Sequence, residues 1–202
     1  NAGVPGSSLF QGWRWLETRA KELAPDLIVL NFGWNDMLSW DGQSDFESQR
    51  RALGRRPPGV LANSRLARKL WSLRPAAEAT KEERPRLTPA EFGQLLGDCK
   101  RSANALGAEL MVFIGGSLVN LSKDLPNRRV SEYQRMQAVF ATATGVPTVD
   151  GIQIALELAR TMPPEEVFLD QMHPGAKLNR AVGVALAERI AAWRRARAPA
   201  AK

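Results

Sequence analysis

Asp26-Leu27-Ile28-Val29-Leu30-Asn31-Phe32 is the stretch whose reading decides the fold. The aliphatic run is too short for a core helix and lacks the alternation of a strand with one wet face. It therefore predicts a strand buried on both faces, as in a parallel sheet. Upstream, Leu9, Trp13, Leu16, Ala20 and Leu23 recur at helical spacing, and Pro25 stops that helix. Downstream, Glu109-Leu110-Met111-Val112-Phe113-Ile114 is a second strand-like run behind Gly107, and Val146-Pro147-Thr148-Val149 a shorter third behind Gly145.

Helices with readable ends lie between these runs. Thr88-Pro89-Ala90-Glu91 is a capping box with proline at the first helical position. It opens a helix over 92–106 that carries Leu95, Leu96 and Cys99. Further helices are expected over 131–144, with Met136, Val139 and Phe140 on the inner face, and over 152–158 and 178–193. Strands separated by helices imply βαβ crossovers and a three-layer α/β/α domain.

The stretch 41–87 interrupts that rhythm. It contains Pro57-Pro58-Gly59, the charged Lys81-Glu82-Glu83-Arg84-Pro85 and one amphipathic piece over 61–73, with Leu66, Leu70 and Trp71. Ligands of open α/β sheets bind beyond the carboxyl ends of strands, so an insertion placed directly after a strand is expected on the substrate side. A tolerated surface elaboration is the plainer alternative. The last residues, 196–202, read as frayed.

Composition bounds the function. The 202 residues suffice for one domain, or a large part of one. One cysteine excludes an internal disulfide, and its helical position predicts a packed thiol. One histidine and one cysteine offer no metal cluster of the usual spacing, so zinc is not expected. The net charge of +7 is concentrated in residues 50–74 and in a tail over 189–202. Neither region is accompanied by a recognition-helix motif, interleaved aromatics or a phosphate loop, so a solvated arginine-rich surface is expected rather than a nucleic-acid site; attraction to an anionic membrane surface or an acidic substrate is an alternative that the sequence alone does not support. No transmembrane run or signal-peptide pattern is present, which leaves the compartment open because the chain begins Asn1-Ala2-Gly3 without methionine.

The chemistry-bearing residues fall at strand ends. The single histidine, His173, follows Asp170 by three residues in Asp170-Gln171-Met172-His173-Pro174-Gly175. One loop can aim that carboxylate to orient the imidazole, the acid–base half of a nucleophilic triad; a loop histidine that only packs is the alternative. Gly6 precedes a helix start and Asn35 follows the first strand in Gly33-Trp34-Asn35-Asp36. A free backbone N–H and a side-chain amide there would make two donors of an oxyanion hole.

In that order, Asn1-Ala2-Gly3-Val4-Pro5-Gly6, Phe32-Gly33-Trp34-Asn35-Asp36 and Asp170-Gln171-Met172-His173-Pro174 resemble the second, third and fifth sequence blocks of the SGNH (GDSL-type) hydrolases. The resemblance implies a flavodoxin-like α/β/α fold and hydrolysis of carboxylic esters by a serine nucleophile, with no metal or other cofactor. By position it makes Gly6 and Asn35 the oxyanion donors, His173 the general base and Asp170 its orienting partner. Trp34 is expected to line the acyl or alcohol pocket, or else to pack.

The chain departs from the family at its first block, because Gly-Asp-Ser occurs nowhere in it. Ser7 and Ser8 read as helix caps, and Ser117 has a strand-end place that the family pattern does not use. The expectation is therefore a nucleophile upstream of residue 1. The chain is then an N-terminally truncated fragment of one SGNH domain spanning 1–202, without the first two strands of a 2-1-3-4-5 sheet. Such a fragment would leave its first strand as an open edge, and would be poorly stable and inactive alone. The implied substrate is a small-molecule or glycan ester. Acyl transfer or glycan O-deacetylation, and a non-catalytic SGNH-like binding domain, stand as alternatives; the oligomeric state is left open.

Overall fold

The computed structural model describes residues 2–39, 42–54, 61, 63–72, 84–121 and 128–197. Pro57-Pro58-Gly59, Lys81-Glu82-Glu83 and the tail from 198 onward lie outside the described residues. In chain order the elements are α1 (Leu9–Thr18), β1 (Leu27–Leu30), α2 (Trp34–Met37), α3 (Asp45–Gly54), α4 (Arg65–Ser72), α5 (Pro89–Ala105), β2 (Glu109–Ile114), α6 (Arg128–Thr144), β3 (Thr148–Asp150), α7 (Gly151–Leu158), α8 (Pro164–Val167) and α9 (Ala176–Arg197). The strands form a parallel sheet in the order β1-β2-β3, with Leu27 opposite Glu109 and Val112 opposite Thr148. This is the parallel α/β arrangement that the apolar runs predict.

Helices cover both faces. Leu110, Val112 and Ile114 of β2 join the core made with Leu9 and Leu16 of α1, Leu95, Leu96 and Cys99 of α5, and Tyr133 of α6. Strand side chains alternate, so Met111 and Phe113 point the other way, toward the side where Ala155, Val167, Phe168 and Leu178 form a second cluster from α7 to α9. Trp193 Nε1 donates to Glu109 Oε2 at 2.6 Å, tying the end of α9 to the start of the sheet. No described helix is long and apolar enough to cross a membrane.

Several local readings need correction. β1 is not buried on both faces: β2 shields its side chains almost throughout, whereas Val29 of β1 is 39% exposed. Among the described residues β1 has a neighbour on one edge alone. The first helix stops at Thr18, six residues short of Ala24; a 3-10 turn over Ala20–Leu23 follows, and Leu23 is left exposed. On α6 the buried stripe is Val130, Tyr133, Gln134, Gln137 and Ala141, and Val139 faces solvent. Two glutamines occupy the inner face because each donates to a strand-end carbonyl, Gln134 to Gly115 and Gln137 to Phe32. Met136 and Phe140 do pack against the core, so of the apolar residues expected inside only Val139 is misplaced. In the 41–87 stretch, Leu66 and Leu70 are exposed as well.

Cys99 is fully buried, and burial pushes its thiol up to about 12. Iodoacetamide at pH 8 is expected to leave it unmodified in the folded chain and to alkylate it after unfolding in guanidinium, as read by mass. Rapid native labelling would mean that the α1–α5 core is open.

Candidate active site

The loop that carries His173 is built locally. Leu169 N–H donates to the His173 carbonyl at 2.8 Å and Gly175 N–H to the Val167 carbonyl at 2.7 Å, closing residues 168–174 into a tight turn. Gly175 permits the closure, since a Cβ there would lie 2.5 Å from the Glu166 carbonyl oxygen. Inside the turn, Asp170 Oδ1 accepts from Met172 N–H at 2.8 Å and His173 N–H at 2.9 Å, while Oδ2 meets His173 Nδ1 at 2.7 Å. The Met172 N–H first, then the imidazole and the His173 N–H, hold the Asp170 carboxyl at about 2. The carboxylate is thus ionised at neutral pH and accepts the proton of Nδ1. The lone pair of a neutral ring then lies on Nε2, the nitrogen that can take a proton from a nucleophile.

His173 opens onto a cavity of about 310 Å³ at the carboxyl ends of the strands. Its wall takes Asn31 to Asn35 after β1, Gly115 to Ser117 after β2 and Gly151 after β3, with Tyr133 and Gln137 of α6 and Asn179 of α9. Trp34 lines this cavity and also packs against the core. The Asn35 amide donates to the Ser7 carbonyl at 3.2 Å, which brings the two segments expected to hold oxyanion donors against each other. Gly6 itself is exposed with φ +78° and is not in the wall; its neighbour Ser7 is. Of the serines in question, Ser8 caps α1 and donates to Asp45, and Ser117 donates to Asn120 at 2.9 Å. None of Ser7, Ser8 and Ser117 forms a hydrogen bond with His173.

Behind the cavity lies a buried polar cluster with no counterpart in the local sequence reading. Asp36, fully buried, accepts from Leu9 N–H at 2.6 Å through Oδ1 and from Gly33 N–H at 2.8 Å through Oδ2. Arg86 forks onto Asp45, with both N···O distances 3.1 Å, and donates to the Gly6 carbonyl at 2.6 Å. The two roots of the 41–87 stretch thereby clamp the Gly6 turn. Burial raises the Asp36 carboxyl to about 6, against the opposing pull of the Leu9 and Gly33 N–H groups and of Arg86.

The chain shares its fold with Axe2, an acetylxylan esterase from Geobacillus stearothermophilus. The match has a TM-score of 0.63 at 16% identity and covers 94% of this chain and 70% of Axe2. A hydrolase from the metagenome of Lake Arreo, LAE5, matches with a TM-score of 0.60 at 14% identity over 91% of this chain and 68% of its own. Catalytic variants of Axe2 replace a serine, an aspartate and a histidine, the last two standing three positions apart in its chain. No family model matches the chain, and no curated protein matches it in sequence.

Of the residues expected at a site, His173, Asn35 and Trp34 share one cavity wall, Asp170 stands behind the imidazole, and Gly6 sits one residue outside. Asp36, Asp45 and Arg86 were not expected. Asp36 had a signal in its place next to Asn35; Arg86, 80 residues from Gly6, had none.

Two outcomes follow for this loop system. A carboxyl whose folded pKa is raised from 3.8 to about 6 stabilises the fold below about pH 4 and loses that contribution as pH rises through 6. Between pH 4 and pH 7 the unfolding free energy of wild type is expected to fall relative to Asp36→Asn by about 2 kcal/mol; parallel pH curves for the two proteins would contradict this. Gly175→Ala is expected to destabilise by about 1–3 kcal/mol, because backbone rather than a flexible side chain must move; an unchanged midpoint in thermal unfolding would refute the close approach.

Proposed function

We propose that this chain carries the base, its orienting carboxylate and the side-chain oxyanion donor of an SGNH-type, serine-dependent hydrolase of carboxylic esters. The observation that carries the reading is the 2.7 Å pair of Asp170 and His173 at the wall of a cavity that also holds Asn35. The serine comes from outside these 202 residues. The free edge of β1 among the described residues supports this: a further parallel strand paired there would end beside Asn31, at the cavity mouth.

The serine hydroxyl adds to the ester carbonyl while His173 Nε2 takes its proton. Asn35 Nδ2–H, in the cavity wall, stabilises the oxyanion of the tetrahedral adduct. The imidazolium, held by Asp170, returns the proton to the departing alcohol and leaves an acyl-serine. Water, deprotonated by the same nitrogen, then releases the acid. Asp170, held at about 2, stays ionised through the working range and keeps its orienting role there.

A glycan O-acetylester is the favoured substrate among esters, and acyl transfer to a sugar hydroxyl is the alternative outcome for the same acyl-serine. The cavity wall is rich in amides, Asn31, Asn35, Gln134, Gln137 and Asn179, which suit hydroxyl-bearing substrates. Axe2, of the same fold, is an acetylxylan esterase.

The test is turnover of p-nitrophenyl acetate and of acetylated xylan by protein made with the coding sequence upstream of Asn1. We expect His173→Ala to lower kcat at least about 10³-fold and Asn35→Ala about 10²–10³-fold, with the 202-residue chain alone inactive. Turnover unchanged in His173→Ala would overturn the mechanism, and its absence in the extended wild type would favour a binding domain. Acetylated sugar formed from a free sugar acceptor would assign acyl transfer.

A further inference from the structure

The segment between β1 and α5 contains a helix whose sides are sorted by chemistry. At about 100° per residue, positions 66, 67, 70 and 71 of α4 fall within one arc of about 140°, all apolar. Positions 65, 68, 69 and 72, two arginines, a lysine and a serine, occupy the opposite arc. Ser64 caps the helix by accepting from Ala67 N–H at 3.2 Å, so the helix has a defined start. Two leucines of that arc nevertheless face solvent: Leu66 is 67% exposed and Leu70 59%, with Leu61 just before the helix at 50%. α4 packs closely against none of the other described elements.

Charge selects the occupant of that arc. From Gln49 to Ala77 the sequence holds eight arginines and lysines and not one aspartate or glutamate. A second copy of this chain seated on the arc would bring like charges together. A nucleic acid would use the cations but would leave the leucines in water. An anionic lipid surface satisfies both, taking the leucines into the acyl boundary and the cations at the headgroups. We propose that α4 is an interfacial helix that docks the protein on membrane surfaces containing anionic lipid. Asp45 and Arg86, at the roots of this segment, are fixed to the Gly6 turn, so the docking element is anchored to the site loops at both ends. The proposal is independent of the esterase reading, and its test needs no turnover.

The test is co-sedimentation of the protein made with the coding sequence upstream of Asn1, against a vesicle-free control, with vesicles of phosphatidylcholine alone and of phosphatidylcholine with phosphatidylglycerol. We expect binding to the anionic vesicles at least tenfold tighter than to the neutral ones, weakening as salt screens the headgroups. The variant Leu66→Asp/Leu70→Asp should bind at least tenfold more weakly with its circular dichroism unchanged, both side chains being exposed. Arg65→Gln/Lys69→Gln should weaken binding and keep the leucines in place, so the proposal stays testable if the first variant misfolds. Arg194→Gln/Arg195→Gln, removing two charges at the far end of α9, should bind as wild type. The proposal is overturned by wild type that ignores anionic vesicles, or by α4 variants that bind undiminished. It is equally overturned by an α9 variant that loses as much as the α4 ones, by self-association that the leucine variant abolishes, or by RNA binding that the leucine variant leaves intact.

Discussion

One buried carboxylate holds the site loops together. Asp36 takes the N–H of Leu9 at the start of α1 and the N–H of Gly33 at the exit of β1, while its own carbonyl takes the N–H of Leu87 ahead of α5. Three segments distant in sequence thus meet at a single residue from which water is excluded. Burying a charge is unfavourable, and the raised pKa of about 6 records that cost. The hydrogen bonds and Arg86 offset it, and the geometry they demand places Asn35, the residue before Asp36, against the Ser7 carbonyl.

The rest of the site is supported from two sides of very different construction. The His173 turn is nearly self-contained: its hydrogen bonds span few residues, and its attachment to the sheet includes the bond from Leu118 N–H to the Gln171 carbonyl. The Gly6 turn, by contrast, is held by Arg86 and by the ion pair that Arg86 makes with Asp45. Half of the proposed catalytic constellation is therefore robust to changes elsewhere, and the other half depends on the roots of the 41–87 segment. This division places the Gly6 side, not the His173 turn, under the influence of Arg86 and of Asp45 at the start of α3.

Much of the architecture was legible because its causes are short-ranged. The Thr88 capping box is present, with Thr88 Oγ1 accepting from Glu91 N–H and Glu91 reaching back to Thr88 N–H. The apolar run over Glu109–Ile114 became the central strand, buried as its composition requires. β1, of similar composition, did not, because burial depends on neighbours and not on the run itself. Val139 was misplaced for a related reason: the glutamines of α6 are inside because strand-end carbonyls await them, and apolar periodicity is blind to that demand.

By itself, then, the sequence determined the helix caps, the parallel α/β alternation and the pairing of Asp170 with His173. Each of these rests on contacts within about four residues or on the periodicity of one segment. Only the tertiary structure decided that Asp36 joins Leu9 across 27 residues and that Arg86 reaches Gly6 across 80. It also decided that Gly6 stands just outside the cavity while Trp34 and Asn35 line it. Local chemistry specifies which groups can bond; chain packing brings distant partners within bonding distance, and the buried ions show that here it did.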